Sequence, residues 1–379
     1  MAGTIADRPA AALSADFSWD APTKLQLIQP VPDAIASFPQ TRYYGSKRRL
    51  LGWMYSHLGA VRFDSVLDAF GGTGSVSLMF RAMRKRVTYH DGLLFNEDVG
   101  RSILADKPAL SRGNVKALLD SVKPKAGVIS QHFSEIFFKD EENSWLDGFF
   151  HLIDSEERSV EERSLLRYVI YQACLKKRPF NLFHRANIHL RTNLTVHRSF
   201  GNAVTWERSF THHALQAYDD IVRRSVSNGS FSILPSGNAE DIAPGYDLVY
   251  IDPPYIGREE RRNRDDYWRR YHFLEGLARY NEWEKLIDTK SNIRLFEPPS
   301  WFPEWASTRS FKDRLFSFID RHQHSIVVLS YVSGAFPSEA EIKAHFEARF
   351  SQVSVHSAEH NHALSKARKR ELLFIGYPR

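Results

Sequence analysis

Two hydrophobic patterns alternate along this chain. Short, almost wholly apolar runs recur at Val66-Leu67, Val87-Thr88-Tyr89, Phe231-Ser232-Ile233-Leu234, Leu248-Val249-Tyr250-Ile251 and Ile326-Val327-Val328-Leu329. Runs of this kind predict strands covered on both faces, as in a parallel sheet. Between them, apolar residues recur with helical spacing: Leu50, Leu51, Met54 and Leu58; Val76, Met79, Phe80 and Met83; Leu165, Leu166, Val169, Ile170 and Ala173. Each set lies on one face of a helix. The last set ends before Pro179, which cannot continue a helix. Val353–His356 and Glu371–Gly376 predict a hairpin closing the sheet. The pattern is that of an α/β fold of the dinucleotide-binding kind.

Chemistry-bearing residues gather at the carboxyl ends of these strands, where open α/β sheets bind ligands. Ser65–Phe70 runs into Gly71-Gly72-Thr73-Gly74 and then into a helix, and the glycines let the backbone approach a ligand closely. Asp91 follows Gly72 by 19 residues, near the offset of an acid that holds ribose hydroxyls; a helix-capping role fits the same position. After the fourth run comes Asp252-Pro253-Pro254-Tyr255. Two prolines end the strand and present an acid, rigid carbonyls and an aromatic ring beyond it. Near the start of the fold, Ser46 is a candidate helix cap, with Lys47 beside it suited to an anion or to solvent. Following the strand at residue 231, Asn238 and Asp241 are both candidate acceptors for an adenine amino group.

Composition narrows the class. The 379 residues carry a net charge of +6, which favours an anionic partner. A single cysteine, Cys174, excludes an internal disulfide and sits on an apolar stripe, as a small buried hydrophobe does. The pairs His322/His324 and His360/His362 lack further ligands at zinc spacing, so no metal is expected. A Gly-Lys-Ser/Thr phosphate loop is absent, against an ATPase. No apolar run has membrane-spanning length and no signal peptide is evident, which predicts a cytosolic protein without a membrane partner.

Residues 1–39, rich in Ala, Pro and Ser, predict a flexible tail. Strand patterns are scarce over 101–227, which predicts a mostly helical insertion. Inside it, Lys176 to Asn193 interleaves basic, aromatic and amide side chains. Lys177, Arg178, Arg185, Asn187 and Arg191 are therefore candidate nucleic-acid contacts, against the alternative of a basic face over packed phenylalanines. The charged stretch from Gly257 to Arg270 reads as a lid or as an exposed loop.

In the order Tyr-x-Gly-Ser-Lys, Phe-x-Gly-x-Gly-Ser, ribose acid, insertion, Asp-Pro-Pro-Tyr, the chain resembles the Dam-like D12 class of DNA adenine-N6 methyltransferases, alpha group, from about residue 42 to 376. The resemblance implies a Rossmann-like, S-adenosylmethionine-dependent methyltransferase sheet, with residues 40–100 and 228–379 catalytic and 101–227 a target-recognition domain. It implies S-adenosylmethionine as cofactor, held by Tyr43, Lys47, Phe70, Gly72, Gly74, Asp91, Asp252 and one of Asn238 and Asp241. It also implies catalysis by Asp252, Pro253, Pro254 and Tyr255 on an adenine flipped out of double-stranded DNA, and a cognate restriction enzyme as companion. The alternatives are RNA adenine or DNA cytosine-N4 transfer, or a silent DNA-binding specificity subunit.

Overall fold

The computed structural model describes residues 35, 47–179, 182–193, 203–223, 226, 229–257, 267–360 and 369–379. Tyr43, Ser46 and the N-terminal tail, apart from Ile35, lie outside these residues, as does the stretch 258–266.

Nine strands are present among them: β1 (Ser65–Asp68), β2 (Arg86–Tyr89), β3 (Phe231–Ile233), β4 (Leu248–Ile251), β5 (Ile256–Gly257), β6 (Ile326–Val332), β7 (Ala335–Phe336), β8 (Gln352–His360) and β9 (Lys369–Tyr377). Seven form one mainly parallel sheet in the order β3-β2-β1-β4-β6-β9-β8, and β5 pairs with β7 separately. β3, β2, β1, β4 and β6 are mutually parallel, while β9 runs antiparallel to both β6 and β8. β4 is buried at every residue because it sits mid-sheet with both faces covered, which explains its unbroken apolar run. The β8–β9 pair is the closing hairpin that the sequence predicts.

The chain leaves β1 for β2 and β3 on one side, and later fills β4 and β6 on the other. The order therefore reverses between β1 and β4, whose Val66 and Leu248 are direct partners. A crevice opens beyond the carboxyl ends of strands at such a switch point, and the candidate site lies there.

The described residues of 101–227 are mostly helical. The longer helices are Arg112–Ser121, Asp140–Ser155, Val160–Lys177 and Phe210–Val222. Ser159 caps the third of these, with Glu162 completing a capping box. These helices share one continuous apolar core with the sheet: Phe149, Leu166, Tyr171 and Phe210 belong to the same buried cluster as Val66, Tyr89 and Tyr250. Cys174 is buried in that cluster, and burial pushes its thiol well above the usual range, as befits a packing residue. No helix among the described residues is long and apolar enough to cross a membrane.

Candidate active site

The glycine turn after β1 is clamped by the end of β2. Gly72 and Gly74 have positive φ, 48° and 71°, which glycine adopts without a Cβ penalty. Gly71 is required for a different reason: a Cβ there would stand 2.1 Å from the Tyr89 ring. The Tyr89 hydroxyl donates to the Gly72 carbonyl at 2.7 Å. Asp91 completes the clamp by accepting from Gly72 N at 2.8 Å, Leu93 N at 2.9 Å and Asn96 Nδ2 at 2.8 Å. The carboxylate thus organises the loop that it caps and also faces the cavity beside it.

That cavity, of about 320 Å³, is within the range of small-molecule sites. Phe70, Gly72 and Asp91 form one part of its wall, with Lys47 and Asp252 in another. Asp68, on β1, also lines it and is almost fully buried. Its Oδ2 accepts from the Ser77 hydroxyl at 2.6 Å, and its Oδ1 has no hydrogen-bond partner among the described residues. Burial first, then the negative charges of Asp252 and Asp91, push its pKa up to about 7 against the Ser77 hydrogen bond.

At the end of β4, Lys47 Nζ lies 2.9 Å from Asp252 Oδ1 and donates to the Tyr255 hydroxyl at 2.7 Å. The Tyr255 hydroxyl donates to the same Asp252 oxygen at 2.9 Å and stands 3.5 Å from Glu371 Oε2. Glu371 is 3.9 Å from Lys47 and nearly inaccessible. Burial opposes the Lys47 charge, but Asp252 and Glu371 outweigh it and hold its pKa above the usual lysine value. Burial, joined by Glu371, raises Asp252 despite the lysine. Lys47 is therefore neither a solvated first-turn residue nor an open anion site. Asp252 and Pro254 face the cavity, and Pro253 is buried behind them.

Two sequence expectations need correction. Neither Asn238 nor Asp241 lines the cavity, whose wall there is Gly237 and Ala239. Asn238 Oδ1 accepts from Trp305 Nε1 at 2.9 Å and from Glu240 N at 3.3 Å, while Asp241 is exposed to solvent. The second correction concerns the basic stretch. Lys177, Arg178, Asn187 and Arg191 point inward and are not surface DNA contacts. Lys177 and Arg191 both ion-pair with Glu142, at 2.7 and 2.8 Å. Burial works against the Glu142 charge, but these two cations hold its carboxyl below the usual range. Arg178 lies against the Phe137 and Phe183 rings and donates to the carbonyls of Leu182 and Arg185 at 2.9 Å. Asn187 donates to the Pro179 carbonyl at 3.2 Å. Arg185 is exposed, on a loop that Arg178 fastens from below.

Several contributors were not evident in the sequence. Trp301, Phe302 and Trp305, from a segment without strand or helical period, also line the cavity. A Cβ on Gly92 would meet the Trp301 ring at 3.2 Å, and Trp305 stands edge-on to Phe70 at 5.1 Å. Trp268 Nε1 anchors the segment by donating to the Phe296 carbonyl at 2.6 Å. Among the described residues no cluster of three or more His, Cys, Asp or Glu is placed to hold a metal.

Residues 43–293 match the family model described as D12 class N6 adenine-specific DNA methyltransferase. The chain is also similar to the type II methyltransferase M2.HphI of Haemophilus parahaemolyticus, with 21% identity over 89% of this chain and 97% of that protein. Type II methyltransferase M.NlaIII of Neisseria lactamica is 22% identical over 84% of this chain and 91% of its own length.

Proposed function

The chain belongs to the D12 class of N6 adenine-specific DNA methyltransferases, and from that membership we propose how its residues divide the work. The observation that carries the reading is the placement of Asp252: at the end of β4, facing the cavity, with Oδ1 engaged by Lys47 and Tyr255 and Oδ2 bonded by no described residue.

Methyltransferases of this kind use S-adenosylmethionine, which when bound supplies a methyl group on a cationic sulfur. The residues present suit such a group. The glycine turn admits it closely, and Asp91 can also take ribose hydroxyls. The unpartnered Oδ1 of Asp68 suits its ammonium end. Phe70, Trp301 and Trp305 offer aromatic surface for its purine, and the backbone of Gly237–Ala239 an edge. Tyr43, outside the described residues, keeps its expected role here as a further aromatic contact.

An adenine amino nitrogen is a poor nucleophile because its lone pair is delocalised into the ring. Asp252 Oδ2 and the Pro253 carbonyl each accept one of its hydrogens, which favours a pyramidal nitrogen with a directed lone pair. Positioning and preorganised charge then lower the barrier. With a donor bound, the new N–C bond would form as the sulfur–methyl bond breaks and leaves a neutral thioether, and Asp252 would take the proton that the amino nitrogen then loses. Pro254 stiffens the turn and Tyr255 stacks on the extruded base, which must leave the duplex to reach the donor.

Residues 40–100 and 228–379 form the catalytic part in this reading, and 101–227 the target-recognition insertion. Support comes from the described residues of 101–227, which form helices and contribute no strand to the sheet, and from Arg185, the one candidate DNA contact that is exposed. The type II names of the relatives favour a companion restriction enzyme, and duplex DNA as substrate favours the cytosol. The test is methylation of a plasmid library followed by modification-aware sequencing, with wild type and Asp252→Ala side by side. N6-methyladenine in one sequence context, lost in the variant, is expected. Near wild-type methylation by Asp252→Ala would remove the catalytic assignment.

A further inference from the structure

We propose that Glu371 is a positioning residue for methyl transfer, acting through Lys47 and Tyr255 to fix the orientation of Asp252. The inference rests on the assignment of Asp252 as the amine acceptor. Glu371 lies on β9, opposite Val332 of β6, and beyond residue 293, where the family match ends.

Lys47 and Asp252 line the cavity, and Glu371 does not. Its Oε2 stands 3.9 Å from Lys47 Nζ and 3.5 Å from the Tyr255 hydroxyl, the two groups that meet on Asp252 Oδ1. A carboxylate whose one oxygen is held by two donors cannot rotate freely, so its other oxygen has a fixed direction. Lysine alone would fix it poorly, because its ammonium rides on a flexible four-carbon stem. A second acid behind the ammonium limits that freedom and also aligns the phenol. Glu371 has almost no solvent access, so a charge there is kept for its partners and not for hydration.

The charge count adds a second consequence. Among the described residues, Asp252 and Glu371 both lie near the Lys47 ammonium, with Asp68 and the phenols of Tyr250 and Tyr255 as further ionisable groups acting on them. The negative charge of Glu371 works on Asp252 in the direction of a higher pKa. Replacing it by a neutral amide therefore lowers the pKa of Asp252, a change that a purely structural residue would not produce.

The experiment uses the full-length protein, with steady-state methylation of plasmid DNA followed across the acid limb of the pH–rate profile. Glu371→Gln keeps size and removes charge; Glu371→Asp keeps charge and shortens the reach. For Glu371→Gln the expected result is a fall in kcat of about 10- to 100-fold with KM for DNA and cofactor nearly unchanged, and an acid limb moved to lower pH. For Glu371→Asp a smaller fall with an unmoved limb is expected, which keeps the test decisive where the glutamine variant melts below the assay temperature. Wild-type kcat in both variants overturns the inference, as does an unmoved acid limb in a folded Glu371→Gln. Asp252→Ala assayed in parallel separates the two levels. An active Asp252→Ala sinks the catalytic assignment itself, whereas an inactive one beside unaltered Glu371 variants sinks only the role of Glu371.

Discussion

Replacing Asp68 by Asn should make the protein more stable at alkaline pH and leave it nearly unchanged at acid pH. Asp68 is 1% exposed and its Oδ1 has no partner among the described residues, so its ionised form is poorly accommodated. Its pKa is raised from 3.8 to about 7, so the folded state holds a proton that the unfolded chain has already released. Stability from this group is therefore lost as pH rises from the unfolded pKa through the folded one. The full loss, just over three factors of ten, is about 4 kcal/mol and is reached only above neutrality. Between pH 5 and pH 8 the portion that accrues spans about two factors of ten, or about 3 kcal/mol. Asn keeps an oxygen to accept from Ser77 and never ionises, so it escapes this loss. Urea unfolding of both proteins at the two pH values is the assay, and the quantity compared is the variant-minus-wild-type difference. That difference should grow by about 2–3 kcal/mol from pH 5 to pH 8. A difference independent of pH would show that Asp68 is ionised without penalty in the fold, and the burial argument would fail. Cofactor affinity provides a second reading: the same variant should bind S-adenosylmethionine more weakly at pH 8, where a carboxylate would otherwise meet the ammonium end.

Other substitutions separate the remaining roles. Gly71→Ala pushes a methyl group into Tyr89 and breaks its bond to Gly72, so a loss of about 2–4 kcal/mol in urea unfolding is expected, and an unchanged midpoint would contradict the clamp. Lys177→Ala should destabilise by up to about 3 kcal/mol, the low end for a broken buried pair because Arg191 stays on Glu142. Arg185→Ala should change stability by no more than about 0.5 kcal/mol yet weaken duplex binding, and the reverse outcome for this pair would restore the original reading of the basic stretch. Asn238→Ala strands the Trp305 indole N–H, which should cost about 1–3 kcal/mol in unfolding and weaken cofactor binding in a calorimetric titration; wild-type values in both would detach Trp305 from the site.

What could be read from the sequence was local. The β1 run, the glycine turn and the Asp-Pro-Pro-Tyr exit each carry their signal within a few residues, because strand burial, positive φ and the missing proline N–H are properties of the segment itself. The five apolar runs and the closing pair all form strands of one sheet at the expected positions, although the run at 231–233 is an edge strand and only partly buried, not covered on both faces. The helical stripes of Leu50 to Leu58 and of Val76 to Phe80 are buried for the same reason.

The misreadings share a different cause. Lysine and arginine are rarely buried without a counter-charge, so Lys177 and Arg191 read as surface residues as long as Glu142 is unseen. Glu142 is on another helix, Asp140–Ser155, and once it is placed between them the two cations become internal partners. Arg178 shows that an arginine can also be held, among the described residues, by rings and carbonyls, with its pKa brought down to about 9 by burial and then by Arg191. The same long-range logic hid Glu371 and Trp305, whose neighbours Lys47 and Asn238 are distant in the chain. In this site the local motif supplies the reacting groups, and residues brought in from the far end of the fold hold them in place. Variation at those supporting positions should therefore alter rate and pH response while the motif itself stays intact.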